Sequence, residues 1–339
     1  MSKLNVLVAG STGYIGLQLI KLLQKHKKIK IKYLCGNSSV GKSISQYDKS
    51  IKKKNLPKIS KYNKKYLSEV DIVFTALPNG ESQKLSKDLL NKNLLIDLSA
   101  DFRLKKSNEY YKWYKIKHKA KKLIKESIYS IPELKKNDFK NQKIIASPGC
   151  YPTSILLPLA PLIKKNLISN KNIIIDSKSG YSGAGRGVHK KYKDKNLYES
   201  LSAYGIAIHR HNSEIQQELD TFTKKKNSFD FTPHLSPMFR GILSTIYVDT
   251  KKKETSLYKY LSRFYKNHKF IRILKPNSLL STNDVINTNN CHISICRGKN
   301  KNKIIILSAI DNLIKGGGGQ AIQSMNLYYG FRENEGLHD

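Results

Sequence analysis

Leu4–Ala9 is a nearly continuous apolar run that breaks into Gly10-Ser11-Thr12-Gly13-Tyr14-Ile15-Gly16. Leu17, Leu19, Ile20, Leu22 and Leu23 then recur at helical spacing. A strand this apolar must be covered on both faces, which a helix-flanked parallel sheet provides. The three glycines suit a strand turning sharply into a helix whose N-terminus points at a pyrophosphate, with Ser11 and Thr12 adding hydroxyl donors. Their spacing departs from the commonest G-x-G-x-x-G pattern, and an ordinary strand-to-helix turn is the competing reading. Ile29–Cys35, Val70–Ala76, Leu94–Leu98 and Lys143–Ser147 are further strand patterns, with a helix near Ser82–Asn91. Alternation of this kind predicts an α/β doubly wound parallel sheet.

Ser147-Pro148-Gly149-Cys150-Tyr151-Pro152-Thr153 separates the last of these strands from an apolar helical run, Ser154–Ile163. A cysteine at a strand-to-helix junction sits at the positive end of a helix dipole, where the thiolate is favoured. The same amides can hold the oxyanion formed when that thiolate attacks a carbonyl. The bland alternative is a small buried cysteine in a turn. Past Cys150 the pattern changes. Strand patterns cover Asn172–Ser179, Gly241–Asp249, His292–Cys296 and Lys303–Ala309, with helices at Ser213–Thr223 and Ser256–His268. A second, α+β domain on an antiparallel or mixed sheet is expected.

The 339 residues allow two domains with cores of their own, and no apolar run is long enough to span a membrane. The strand pattern begins almost at Met1, so no signal peptide is expected and the cytoplasm is the expected compartment. Cysteines 35, 150, 291 and 296 lack metal-ligand spacing, so neither zinc nor disulfides are expected. A net charge of +37 raises nucleic acid as a partner. The lysines are scattered in runs such as 52–54, 121–122, 190–191, 224–226 and 251–253. That dispersal, with the abundance of Asn, Ile and Tyr, fits a biased genome better than a specific nucleic-acid surface.

Gly36-Asn37-Ser38-Ser39-Val40-Gly41-Lys42-Ser43 matches the nucleotide-hydrolase phosphate loop G-x-x-x-x-G-K-[ST]. That loop must open a helix packed on the sheet, and the lysine-rich stretch after it lacks an apolar face. After the second strand of a dinucleotide fold, a carboxylate would select NAD; Ser38 and Lys42, with no carboxylate, point to NADP(H). His209-Arg210-His211 opens the helix pattern at Ser213 and offers a base and a cation. A solvated helix start is the alternative there. Ser179–Gly187 is a glycine-rich loop carrying Ser182 and Arg186.

Together these segments resemble the N-acetyl-γ-glutamyl-phosphate reductases of arginine biosynthesis. Further matching pieces are Ala76–Gly80, Asp97–Leu104, Ile131–Leu134, Pro233–Leu243 and Asp311–Ala321. The resemblance implies a Rossmann-type NADP-binding domain, residues 1–149, completed by a C-terminal helix within 313–339. It implies a catalytic and oligomerisation domain at 150–312, in a dimer or tetramer. Cys150 matches the nucleophile that forms a thioester from an acyl phosphate and releases inorganic phosphate. His211 matches the acid/base, with His209 as rival. Arg103, Arg186 and Arg210 match residues for phosphate or carboxylate, and Pro78, Asn312 and Gln320 match cofactor-side positions. Ser39 stands where an arginine often meets the 2′-phosphate. Aspartate-semialdehyde and aminoadipyl-phosphate reductases share the mechanism and are the alternatives within the class.

Overall fold

The computed structural model describes residues 3–52, 56–134, 142–188 and 197–337. Lys53, Lys54, Lys190 and Lys191 of the lysine runs lie outside the described residues, as do residues 338–339 of the expected last segment. The chain divides into two compact units, one of residues 1–148 with 317–338, the other centred on 149–316. Among the described residues, no helix is long and apolar enough to cross a membrane.

The first unit is built on a seven-stranded sheet. Its strands are β1 (Leu4–Ala9), β2 (Ile29–Cys35), β3 (Ile59–Ser60), β4 (Ile72–Thr75), β5 (Leu94–Asp97), β6 (Ser127–Tyr129) and β7 (Ile144–Ala146), in the order β3-β2-β1-β4-β5-β7-β6. Every pairing in it is parallel. Val6, Leu7, Val8, Phe74, Leu95, Ile96 and Ile144 are fully buried, as a two-sided sheet requires. Helices α1 (Tyr14–Leu23), α2 (Glu81–Ser86) and α3 (Ser107–Tyr114) fill the connections. The order reverses at β1, between β2 and β4, and a crevice at such a switch point is where open α/β sheets bind ligands.

The second unit carries its own seven-stranded, mixed sheet. Helix α4 (Cys150–Lys164) precedes β8 (Ile173–Gly180) and β9 (Ser202–Ala203), and α5 (His211–Thr223) precedes β10 (Phe229–Ser236) and β11 (Ile242–Asp249). Helix α6 (Glu254–Phe264), β12 (Ile271–Ile273), β13 (Cys291–Arg297) and β14 (Lys303–Ile310) complete it, in the order β12-β13-β14-β11-β8-β10-β9. Ile155, Leu156, Leu157, Leu159 and Leu162 of α4 are fully buried against the sheet and α5. Ser154 of α4 meets Ser244 at 2.8 Å, and Ser244 meets Ser177 at 2.7 Å, so a buried hydroxyl chain pins the helix to β11 and β8. The last helix, α7 (Gly319–Tyr328), belongs to the first unit and packs on α1.

Two buried histidines of the first unit are held neutral. The His26 ring accepts from the Lys28 amide through Nδ1 (3.2 Å) and sits 2.9 Å from Asn326 Oδ1 through Nε2. His118 accepts from the Ala120 amide (3.2 Å) and reaches the Asp101 carbonyl at 2.8 Å. Burial holds both imidazoles below the usual histidine range. The unfolded chain therefore takes up protons near pH 6.5 that the folded one does not, and stability is lost as pH falls from about 7 toward the folded-state values. Asp97, held high by burial and by the neighbouring Asp101, acts in the opposite sense. The clean measurement is therefore a difference. Between pH 7.5 and 5.5, Tm of the wild type should fall further than that of a His26→Gln, His118→Gln variant, by about 2–4 °C for each kcal/mol of linked stability. Parallel Tm curves would refute the linkage.

Candidate active site

Helix α4 begins at Cys150 with Gly149 as its N-cap. The His211 ring lies against the Gly149 α-carbon. A Cβ built on Gly149 would stand 2.4 Å from His211 Nε2 and 2.7 Å from its Cε1, so any side chain there would displace the imidazole. The fully buried Glu214 accepts the Gly149 amide at 2.9 Å through one oxygen, and its other oxygen lies 3.7 Å from His211 Nε2. One carboxylate thus ties the start of α4 to the start of α5. His211 and Glu214 share a helix face because they are three residues apart. That spacing was the available signal for Glu214, to which the sequence reading gave no role.

Thiol and imidazole are framed from two more directions. A Cβ on Gly316 would meet Cys150 Cβ at 2.7 Å, so the backbone at Gly316 closes one side of the cysteine. That turn is held by Asp311, whose carboxylate accepts from the amides of Leu313 and Ile314 (2.9 and 3.1 Å), from Asn287 N–H (2.9 Å) and from Arg240 (3.1 Å). His209 lies beside the His211 ring, their centroids 4.8 Å apart. Its ring packs edge-on against Tyr151, Tyr204 and Phe231 at 5.4–5.6 Å, and its Nδ1 accepts the His211 amide at 3.1 Å. Asn312, expected at the cofactor, donates to Ser182 Oγ at 2.9 Å and accepts from the Gly241 amide at 2.7 Å, joining the two loops. Arg186 and Arg210 are exposed, the first in the loop after Ser182 and the second at the N-cap of α5.

The first unit holds the remaining expected residues. A cleft of about 930 Å³ at the switch point is lined by Gly10, Thr12, Gly13, Ser38 and Pro78, along with Asn37, Lys61 and Leu77. Gly10 has φ +82°, and a Cβ there would meet the Ala76 carbonyl oxygen at 2.2 Å; a Cβ on Gly16 would meet the Gly10 carbonyl oxygen at 2.2 Å. A Cβ on Gly13 would meet nothing nearer than 3.7 Å, so the mouth of the turn is open where a phosphate would approach. Ser11 is fully buried and donates to the Cys35 carbonyl at 3.1 Å, a structural bond. Tyr14 and Ile15 are half-buried in the first turn of α1, and Lys42 is exposed; none of the three lines the cleft. Gln320 is fully buried in α7. Arg103 is buried and donates through Nε and Nη2 to the carbonyls of Ser147 (2.8 Å) and Leu98 (2.9 Å). Gly36–Ser43 leads into a three-residue 3₁₀ turn, Ile44–Gln46, and not into the α-helix that a nucleotide-hydrolase phosphate loop must open.

Sequence reasoning also passed over Asp101. Its carboxylate accepts from the amides of Gly80 (2.7 Å) and Gln83 (3.1 Å), the Gln83 side chain (3.1 Å) and the Tyr110 hydroxyl (2.6 Å). It caps α2 from outside and fixes the segment that carries Pro78 to the cleft.

A parallel dinucleotide-type unit followed by an α+β unit whose first helix opens on a cysteine is the architecture of the semialdehyde dehydrogenases. Residues 5–142 match the family described as semialdehyde dehydrogenase, NAD binding domain, and residues 150–312 match semialdehyde dehydrogenase, dimerisation domain. The fold is shared with aspartate semialdehyde dehydrogenase II of Vibrio cholerae, at a TM-score of 0.72 and 14% identity over 97% of this chain and 99% of that one. The chain is 46% identical over 332 residues to N-acetyl-γ-glutamyl-phosphate reductase of Vesicomyosocius okutanii, covering 97% of this chain and 96% of the relative. It is 42% identical to the Clostridium botulinum enzyme of the same name, over 98% and 97% of the two chains. The chain belongs to the N-acetyl-γ-glutamyl-phosphate reductase family.

Proposed function

We propose that this chain reduces N-acetyl-γ-glutamyl phosphate to N-acetyl-L-glutamate 5-semialdehyde with NADPH, releasing inorganic phosphate, in L-arginine biosynthesis. The observation that carries the reading is the His211 ring seated on Gly149, next to a cysteine that opens α4, in a chain whose full-length relatives bear that reaction's name. The glycine cradle fits a dinucleotide: Gly10 and Gly16 permit the close turn, and Gly13 leaves the helix start open. Gly10, Thr12, Gly13, Ser38 and Pro78 would hold the cofactor, with Ser11, Tyr14, Ile15 and Gly16 shaping the turn and Gln320 and Asn312 assigned by resemblance. When bound, NADPH supplies the hydride that reduces the thioester.

The chain's own residues do the rest. The amides and dipole at the start of α4 favour the Cys150 thiolate. Its sulfur bonds to the acyl carbon, the carbon–oxygen bond to phosphate breaks, and phosphate leaves with the electron pair. His211, oriented by Glu214, then protonates the oxygen of the thiohemiacetal and recovers that proton as the carbon–sulfur bond breaks, freeing aldehyde and thiolate. Arg186 and Arg210, with Ser182 and His209, are assigned to the substrate's charged and polar groups. Arg103 is assigned to phosphate by resemblance, while two of its N–H groups hold backbone carbonyls. The dimerisation-domain match supports a homo-oligomer, a dimer or tetramer, and we assign the enzyme to the cytoplasm.

The test is an assay run in the oxidising direction. N-acetylglutamate 5-semialdehyde with phosphate should drive NADP reduction with a kcat/KM at least about a hundredfold above that for aspartate semialdehyde, the difference expected when buried polar groups go unpaired. Equal or better use of aspartate semialdehyde would overturn the substrate assignment.

A further inference from the structure

The phosphate-loop-like segment after β2 leaves a question that the reaction itself does not answer. It carries no carboxylate, which excludes the usual ribose contact of NAD, but its own cation does not face the cleft. Lys42 is not among the lining residues. Its backbone is turned into a pairing with the strand behind, the Lys42 carbonyl accepting the Ile59 amide at 3.0 Å and the neighbouring Gly41 amide donating to the Ile59 carbonyl at 2.8 Å. Ser39 is only 1% exposed and its hydroxyl lies 2.6 Å from where a Gly36 Cβ would stand, so it is folded inward against the loop's first residue.

Among the described residues, the cations that line the cleft are Lys61 and Lys84. Lys84 is engaged, its Nζ 2.6 Å from Glu81 Oε1. The other carboxylate on that wall, Asp88, accepts the Tyr62 hydroxyl at 3.1 Å. Lys61 is exposed and makes no ion pair among the described residues. Its place in the fold is set by the edge strand. β3 pairs with β2 at Leu34–Ile59 and Cys35–Ser60, and the Gly36 amide donates to the Ser60 carbonyl at 3.1 Å. Lys61 therefore leaves the sheet directly beside Gly36-Asn37, the position after the second strand where a dinucleotide fold meets the adenosine ribose.

We infer that Lys61 is the residue that recognises the 2′-phosphate of NADP(H), and that it, rather than Lys42, sets the preference over NAD(H). The inference rests on the reading of the cofactor as NADP(H). Asn37 and Ser38 on the cleft wall supply hydrogen bonds, and Lys61 supplies the charge. An ammonium on a flexible stem at the mouth of the cleft suits a phosphate that points toward solvent.

The test uses direct binding, by fluorescence titration of NADPH and NADH to the whole enzyme. Lys61→Gln should raise the NADPH dissociation constant about ten- to a hundredfold, the loss of one charge-assisted contact, and leave that of NADH within about twofold. Lys61→Arg, which keeps the charge, should retain the preference, and Lys42→Gln should shift neither constant by more than about twofold. If the wild type prefers NADPH and Lys61→Gln keeps that preference, Lys61 is not the determinant and the cofactor reading stands. Should the wild type bind NADH as tightly as NADPH, the cofactor reading itself falls, and the role of Lys61 with it.

Discussion

Cys150→Ala should lower kcat by at least about a thousandfold, the scale of losing a covalent nucleophile, with the NADPH dissociation constant unchanged. Alanine keeps the Cβ that packs against Gly316, so the variant should fold and α4 should keep its start. The comparison isolates the sulfur. Its environment separates it from the thiols of Cys35 and Cys291. Cys35 and Cys291 are buried, and burial pushes the Cys35 thiol up to about 11, whereas Cys150 is half-exposed at the positive end of a fifteen-residue helix. Alkylation by iodoacetamide at neutral pH should accordingly reach Cys150 and leave Cys35 unmodified. Retention of more than about a tenth of the wild-type rate by Cys150→Ala would overturn the thioester mechanism.

The α/β and α+β architecture was legible because its strands are apolar for physical reasons. Leu4–Ala9 and Leu94–Asp97 must be covered on both faces, and a chain cannot hide that in its composition. The second sheet's β8, β11 and β14 were visible for the complementary reason, an alternation with one face buried. β10 was missed. Phe229–Ser236 contains Asp230, Pro233 and His234, which read as a loop, and only pairing with β8 on one side and β9 on the other makes it a strand. β3 escaped likewise: its two residues lie in a lysine-rich stretch without an apolar run. That edge strand decides which cation reaches the cleft. Lys42 had the better local motif and Lys61 has the better place, and the difference lies in a pairing between segments some twenty-five residues apart. The polar positioning groups were hidden for the same reason. Asp101 and Asp311 act through backbone amides, which no side-chain pattern records.

His211→Asn should reduce kcat by about a hundred- to ten-thousandfold and remove one ionisation from the pH–rate profile, and His209→Asn should do neither. The two rings have different surroundings. His211 rests on Gly149, close to the thiol's own helix start, with a buried carboxylate 3.7 Å from its Nε2. That carboxylate orients the imidazole toward the helix start, where it can pass a proton to the thiohemiacetal oxygen. His209 packs against Tyr151, Tyr204 and Phe231, and its Nδ1 accepts the His211 amide at 3.1 Å. It is suited to shaping the wall beside His211 or orienting substrate, and its loss should appear in KM more than in the profile. The two rings are in edge contact, their centroids 4.8 Å apart, and both meet Tyr151, so the two functions are separated by substituting each ring alone. The profiles of kcat/KM for the two variants, measured from pH 6 to 9 alongside the wild type, make the assignment. If the His209 variant loses the ionisation and most of its rate while His211→Asn keeps both, the roles are exchanged.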